Sequence, residues 1–392
     1  MRDTVGVRQA NLARLVQLVH REGPLSRAAL TEATGLNRST IADLVAELVG
    51  RELVIERAPD PSRRVGRPSP VVAADPRVMA LAVNPEIDAV TVAAIGLDRA
   101  IAARARIEVP QPPTPEETVA IVASQLDQWR AGDLSDAHVV AAGVAVPGLV
   151  RAGDAVVREA PHLHWIDAAV GPLLHEATGL ATCVGNDASL GVLAEHLFGA
   201  AQGVDDVVYL NGGASGIGGG LIVHGMPVTG AGGYAGEFGQ NRPGIASPAD
   251  RRADGGVLED EVSRARLLAA VGLTAGDEPT LADALTTTTS EAAREEVVRQ
   301  RRILATALAN AVNVLNPRVI VLGGFLATLA ADGLDELTAA VRAQSMPASA
   351  DDVTIRLAAL GEDRLLIGAA EVAFTDLLRD PVSAVAPSSP GR

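Results

Sequence analysis

The sequence contains no lysine, and arginine supplies every one of its 33 basic side chains. That bias fixes composition without naming a function. A single cysteine, Cys183, excludes an intramolecular disulfide and any cysteine-rich zinc site. Aromatic residues make up 2% of the chain, so the core must be built from Ala, Val, Leu and Ile. No apolar run reaches the length of a membrane span, and the N-terminus lacks a cleavable signal pattern. The expectation from these absences is a cytoplasmic protein with no membrane partner.

What is present points to more than one domain. The chain has 392 residues, 48% of them hydrophobic, enough for two or three domains with sizeable cores. The net charge of −15 argues against a protein that coats nucleic acid along its whole surface. Residues 1–70, however, carry 11 Arg against 8 Asp and Glu, leaving the acidity to the remainder. A small basic head on a large acidic body suggests division of labour.

In the head, Leu12, Leu15, Val16 and Val19 repeat at helical spacing. Ser26 can cap a second helix, Gly35 sits in a tight turn, and Asn37 can cap a third helix with Ile41, Leu44, Val45 and Leu48 inward. Helix, helix, short glycine-containing turn and helix is the helix-turn-helix pattern. "ELVIERAPDPSRRVGRPSPVV" then reads as a strand, a basic loop and a second strand, a wing. A three-helix bundle used for packing or dimerisation has the same apolar pattern. The polar start of the third helix favours DNA: Asn37, Arg38, Ser39 and Thr40 lie where a recognition helix meets base edges. Arg63, Arg64 and Arg67 on the wing could pair with phosphates or enter the minor groove.

The body reads as two similar halves. From residue 79 a meander of three short strands precedes a helix, with Thr114 and Glu117 spaced for a capping box, and then the apolar strand "HVVAAGVAVPGLV". From residue 207 the order recurs, ending in "PRVIVLGG". The expected fold is a duplicated α/β structure with a central cleft, a common ligand site. "VVYLNGGASGIGGGLIVHG" concentrates glycine between two apolar runs. A dinucleotide fingerprint would open a helix here, but "LIVHG" continues as a strand, so the cluster belongs to a β-hairpin. A mobile glycine-rich loop would look the same.

The order of elements resembles the actin, hexokinase and sugar kinase superfamily, with its ribonuclease H-like halves. More narrowly, "LNRSTIADLVAELVGRELV", "GRPSP", "VAVPGLV", "HLHWID", "GNDASLGVLAEHLFGA", "GGYAGEFGQ", "GGVLEDEVS" and "LNPRVIVLGG" resemble the ROK family, sugar kinases and sugar-responsive repressors, from about residue 10 to 378. That resemblance implies a winged helix-turn-helix over 1–70, a two-lobed sensor and dimerisation body over 71–380, and a disordered tail over 381–392. It makes Asp187, after Asn186, the counterpart of the kinases' general base, a carboxylate able to take a proton from a sugar hydroxyl. Asn-Asp is also a good helix cap, and the two roles are compatible. Glu237 and Glu259 match sugar-binding glutamates, although a lone loop glutamate is usually just solvated. Gln240 stands for the family's histidine and His162 for its asparagine.

Two family sites are altered. Zinc-containing members use that histidine and "C-x-C-G-x-x-G-C"; here the last cysteine is Val257 and none lies between, so no metal is expected and the order of this loop is in question. The first phosphate turn, Asp-x-Gly-Gly-Thr in the kinases, is "VNPEIDAV", with Asn84, Pro85 and Glu86. Proline removes an N–H donor and glutamate adds negative charge where an anion should sit. The glycine hairpin resembles the second phosphate turn, with Ala214 and Ser215 replacing Gly and Thr, and is expected to survive for its backbone shape. The resulting expectation is a homodimeric or higher-order DNA-binding repressor without cofactor. A sugar or sugar-derived effector would bind in a catalytically inactive cleft, and the partner would be a double-stranded operator. An active ATP-dependent sugar kinase with a fused head and a ligand-independent regulator are the alternatives.

Overall fold

In the computed structural model, residues 2–58, 70–151, 154–245 and 247–383 are described. They divide into two units, Met1–Val144 with Ala169–Val184 and Ala369–Arg392, and Ala145–Ala168 with Gly185–Gly368.

The first unit begins with α1 (Arg2–Glu22), β1 (Leu25–Ser26), α2 (Arg27–Thr34), α3 (Arg38–Gly50), β2 (Val54–Arg57) and β3 (Val71–Ala74). The three strands form a sheet in the order β1-β3-β2. Both helix starts are fixed by side chains: Ser26 accepts the Ala29 N–H and Asn37 the Thr40 N–H. Gly35 closes α2 at φ 72°, a left-handed position that favours glycine. Ile41, Leu44, Val45 and Leu48 are buried on one stripe of α3, each worth about 1.5–3 kcal/mol of transfer free energy. Because β3 pairs with both β1 and β2, the head's sheet runs through Ala74, past the boundary expected at residue 70.

There follow β4 (Val78–Pro85), β5 (Ala89–Gly96), β6 (Ile101–Glu108), α4 (Pro115–Ala131), β7 (His138–Val146), α5 (Val170–Thr178) and β11 (Ala181–Asn186), while β8 (Leu149–Val150), β9 (Val157–Ala160) and β10 (Trp165–Ala168), between β7 and α5 in the chain, belong to the second unit. The large sheet of this unit has the order β11-β7-β4-β5-β6. β4 pairs antiparallel with β5, β5 antiparallel with β6, and β4 parallel with β7. The inner strands β4 and β5 are buried throughout and, apart from Asn84 and Thr91, apolar on both faces. Edge strand β6 alternates half-buried and exposed residues, putting Arg104 and Arg106 at exposed positions, which blunts the edge. Thr114 and Glu117 form the capping box of α4.

The second unit contains α6 (Asp187–Phe198), β12 (Val207–Gly212), β13 (Ile217–Val223), β14 (Met226–Pro227), α7 (Leu258–Glu261), α8 (Arg264–Ala270), α9 (Glu278–Thr287), α10 (Glu291–Leu315), β15 (Val319–Gly324), α11 (Phe325–Ala331), α12 (Leu334–Gln344), α13 (Pro347–Ala350) and β16 (Thr354–Leu357). Its sheet order is β14-β13-β12-β15-β16. Numbered within each five-stranded sheet, both read third, second, first, fourth, fifth strand. In both, the first strand pairs antiparallel with the second and parallel with the fourth. The duplication inferred from element order is therefore present in the strand pairing. α14 (Arg364–Arg379) starts in the second unit and ends in the first.

Small residues set the packing distances. A Cβ on Gly143 of β7 would lie 1.9 Å from the Ala369 carbonyl oxygen of α14, so strand and helix meet at backbone distance. Beyond α14, Asp380 accepts hydrogen bonds from Val382 and Ser383. This makes 381–383 an ordered turn where a disordered tail was expected; residues 384–392 lie outside the described residues. Among the described residues, no helix is long and apolar enough to cross a membrane.

Candidate functional site

A cavity of about 360 Å³ opens in the second unit, and every residue lining it belongs to that unit. His162, Asn186, Asp187, Glu237, Gln240 and Glu259 all line it. His162 sits on the short turn Pro161–Leu163, and Glu237 and Gln240 bracket the turn Phe238–Gln240. Asn186 ends β11, Asp187 opens α6, and Glu259 lies in α7.

Asn186 is engaged at both ends of its amide. Its Oδ1 accepts the Ser189 N–H at 2.9 Å, capping α6, while its Nδ2 donates to the Gly148 carbonyl at 3.0 Å. The capping role read from the sequence is thus present, and the same amide pins the loop after β7 to the cavity rim. Asp187 Oδ1 accepts the Ala188 N–H at 2.8 Å. Burial pushes the Asp187 carboxyl up to about 6, with Glu237 adding to the shift and Arg364 opposing it. Glu237 is raised as well, by burial first and by the charge of Glu259 second.

Glu259 joins two parts of the wall. Its Oε2 accepts the Ile217 N–H at 3.1 Å and its Oε1 accepts the Gln240 amide at 2.6 Å. The carboxylate fits because two neighbours lack a Cβ: one on Gly216 would lie 2.4 Å from Oε2, one on Gly239 2.7 Å. Gly216 also has φ +144°, which L side chains rarely adopt. Further along the hairpin, a Cβ on Gly220 would come within 2.5 Å of Val192 and 2.8 Å of the Ala188 carbonyl oxygen. Bare backbone on β13 lets α6 lie directly on the strand, and α6 brings Asp187 to the cavity. The glycines therefore serve close packing and carboxylate placement, beyond the hairpin's shape.

Residues not singled out from the sequence also line the cavity, Glu159 and Asn211 among them, and so does Ser215 of the glycine hairpin. Asn211 is buried, and its Oδ1 accepts from Tyr209 at 3.2 Å and from Arg364 Nε at 3.0 Å. Arg364 in turn pairs with Glu278 at 2.9 Å. The signal for Asn211 was available, since an amide ends the otherwise apolar run "VVYLN". Glu159 carried no such mark, because it stands in a short strand with exposed positions.

The altered first turn lies in the other unit. Asn84 is buried and faces Thr91 across the β4–β5 ladder, Pro85 faces Val90, and the Glu86 N–H bonds to the Ala89 carbonyl at 2.7 Å. Arg106 lies 3.0 Å from Asp88 and 3.9 Å from Glu86. The turn thus carries two acids, Glu86 and Asp88, and a proline, Pro85.

The loop that holds zinc in some relatives does not fit a metal. Counting back along the cysteine pattern from Val257, the other two cysteine positions fall on Arg252 and Asp250. Arg302 pairs with Asp250 at 2.8 Å and holds that carboxyl below the usual carboxylate range. Gln240 Nε2 donates to Glu259 Oε1, and an amide is a poor substitute for an imidazole ligand. No thiolate or imidazole faces this loop from those positions, and two arginines, Arg299 and Arg302, occupy its surroundings. Among the described residues, no cluster of three or more His, Cys, Asp or Glu is arranged for a metal ion.

On the head, Asn37, Arg38 and Ser39 are exposed and Thr40 is half-buried at the start of α3. Asn37 Oδ1 also accepts from Ser39 Oγ at 2.7 Å, so part of the polar capacity of both residues is spent on the cap. Arg38 projects into solvent from the first turn. Elsewhere, Arg8 pairs with Glu47 and Arg27 with Glu56, while Arg14 donates to the Ala33 and Thr34 carbonyls at the end of α2. A charge count could not show which arginines were already committed. Arg63, Arg64 and Arg67 lie outside the described residues.

Comparison with known proteins agrees with this architecture. The family model described as "ROK family" matches residues 82–375. A putative xylose repressor of Caldicellulosiruptor sp. (strain Rt8B.4) is 22% identical over 96% of this chain and 98% of its own. A glucokinase of Halalkalibacterium halodurans is 30% identical over 63% of this chain and 80% of its own. Among solved structures, a ROK family transcriptional regulator, homolog of the E. coli MLC protein, superposes with a TM-score of 0.72 at 22% identity. That match covers 97% of this chain and 96% of the other, and it shows the shared fold. The chain belongs to the ROK family.

Proposed function

We propose that the chain is a sugar-responsive transcriptional repressor with a kinase-like body that senses its ligand without phosphorylating it. The observation that carries this reading is a three-helix head with a small three-stranded sheet and a carboxylate-lined cavity in one chain. A relative bearing the repressor name aligns along nearly the whole of it. Sugar hydroxyls would donate to Asp187, Glu237 and Glu259, and the amides of Gln240 and Asn211 would complete a polyol site. Arg38 would contact operator DNA from the start of α3, and a homodimer would present two heads to two half-sites. Ligand acts on DNA binding only through a difference in affinity between two arrangements of the protein.

The kinase reading is favoured by one feature, Asp187, a carboxyl with a pKa near 6 on the cavity and so poised for proton transfer. Against it stand Asn84, Pro85 and Glu86, since proline offers no N–H donor and glutamate adds negative charge in the turn that the family resemblance matches to the first phosphate turn. An ATP-consumption assay over a panel of sugars separates the two. The repressor reading expects no turnover above background, while calorimetry detects sugar binding that Glu237→Gln weakens by at least tenfold. Turnover abolished by Asp187→Asn would establish the kinase instead.

A further inference from the structure

The loop between Gln240 and α7 is held by a buried ion network. Glu261, on the same turn of helix as Glu259, is fully buried. Its carboxylate accepts the Arg252 N–H on both oxygens, at 3.1 and 3.0 Å, and the Ala253 N–H at 3.1 Å. The fourth contact is Arg299 Nη1 at 3.1 Å, from α10. Arg299 is itself 2% exposed, yet its donors are occupied: the Asp250 carbonyl at 2.8 Å, the Glu261 carbonyl at 2.7 Å and the Glu296 carboxylate at 2.7 and 2.9 Å. Gln300 clasps the far end of α7 by accepting the Ser263 N–H and donating to the Ser263 carbonyl. A buried charge persists only when paired and fully hydrogen-bonded, and this pair meets that condition.

Three features make this more than generic packing. The contacts fall on Asp250 and Arg252, two of the three positions where the family's metal-binding pattern has cysteine. They are made largely to backbone groups, which fixes the loop's path independently of its side chains. And α7 is short, so whatever anchors Glu261 also fixes Glu259, two residues earlier, and through Glu259 the Gln240 amide and the Ile217 N–H.

We infer that Glu261 and Arg299 are positioning residues that brace this loop without a metal and hold Glu259 and Gln240 on the cavity wall. The brace itself stands apart from the sugar reading; only its effect on ligand affinity rests on that reading. Its logic is that of a preorganised site, in which supporting contacts hold the groups that would otherwise have to be ordered on binding.

Hydrogen–deuterium exchange on the full chain, with and without EDTA, tests this directly. The expected result is a protected backbone at Arg252 and Ala253 in the wild type, unchanged by EDTA. Exchange there should rise at least tenfold in Glu261→Gln and Arg299→Gln, with α3 and the β4–β6 sheet unchanged. Arg302→Gln, which removes only the exposed pair with Asp250, is the milder variant and should loosen the loop less than either. D-Xylose and D-glucose are the calorimetric probes: affinity should fall at least tenfold in Glu261→Gln while operator binding is unchanged. Loop protection lost on chelation, or unaltered in all three variants, would overturn the inference. If the wild type binds neither sugar, the sugar reading suffers, and the exchange result still decides whether the brace exists.

Discussion

Replacing Asp187 by Asn should stabilise the protein, and the gain should depend on pH. Burial raises the Asp187 pKa from 3.8 to about 6, so the folded state holds this proton more tightly than the unfolded chain does. Folding stability from the group is therefore complete below about pH 4 and is lost as pH rises towards 6, above which the folded state bears the cost of a buried charge. A shift of about two units corresponds to roughly 3 kcal/mol at neutral pH. The side chain faces an open cavity, so water lowers that figure, and about 1.5–3 kcal/mol is expected. Asparagine can keep the acceptor that receives the Ala188 N–H and carries no charge to desolvate. Urea unfolding of both proteins between pH 4.5 and pH 8 should show the variant's advantage growing by about 1–2 kcal/mol across that range. A variant that is less stable at pH 8, or an advantage independent of pH, would refute the electrostatic argument.

His20 in α1 has both ring nitrogens on acceptors, Nδ1 2.6 Å from the Leu97 carbonyl and Nε2 2.9 Å from Glu371, in a buried setting against Phe374. His20→Ala should destabilise the first unit by about 1–3 kcal/mol by leaving buried acceptors without a partner, and a double-mutant cycle with Glu371→Ala should show coupling in thermal unfolding; simple additivity would exclude the pair as a joint. Arg38→Ala should weaken operator binding and reduce the salt slope by about one, with stability unchanged within about 0.5 kcal/mol; unchanged affinity would remove Arg38 from the interface. Gly220→Ala should cost about 1–3 kcal/mol by forcing α6 off β13, read in urea melts, and a neutral result would contradict the close-packing account of the glycine hairpin.

Much of the fold was legible because local chemistry and global order agreed. Ser26, Asn37 and Thr114 each stood before a periodic apolar stretch, and each caps a helix. The duplication could be read from element order, and it reappears as one strand order in both sheets. Asn186 and Asp187 were picked out through the family resemblance, and the structure places both on the cavity wall. What escaped was long-range. Nothing local in "GGVLEDEVS" distinguishes Glu261 from its acidic neighbours, because its partner Arg299 lies 38 residues away. The same holds for Arg364, which reaches Asn211 across 153 residues. The glycines could be counted but not explained, since their reason is the approach of α6, Glu259 and Phe238 in space.

The central claim is that a sugar in the cavity alters the affinity of the head for DNA. The most direct measurement is fluorescence anisotropy of an operator fragment, selected with the purified protein from genomic DNA, titrated with and without saturating D-xylose or D-glucose. The account predicts that one of these sugars shifts the DNA dissociation constant by about 5- to 150-fold. It also predicts that Glu237→Gln needs proportionally more sugar for the same shift. A sugar that binds the wild type calorimetrically yet leaves the operator isotherm unmoved would contradict it.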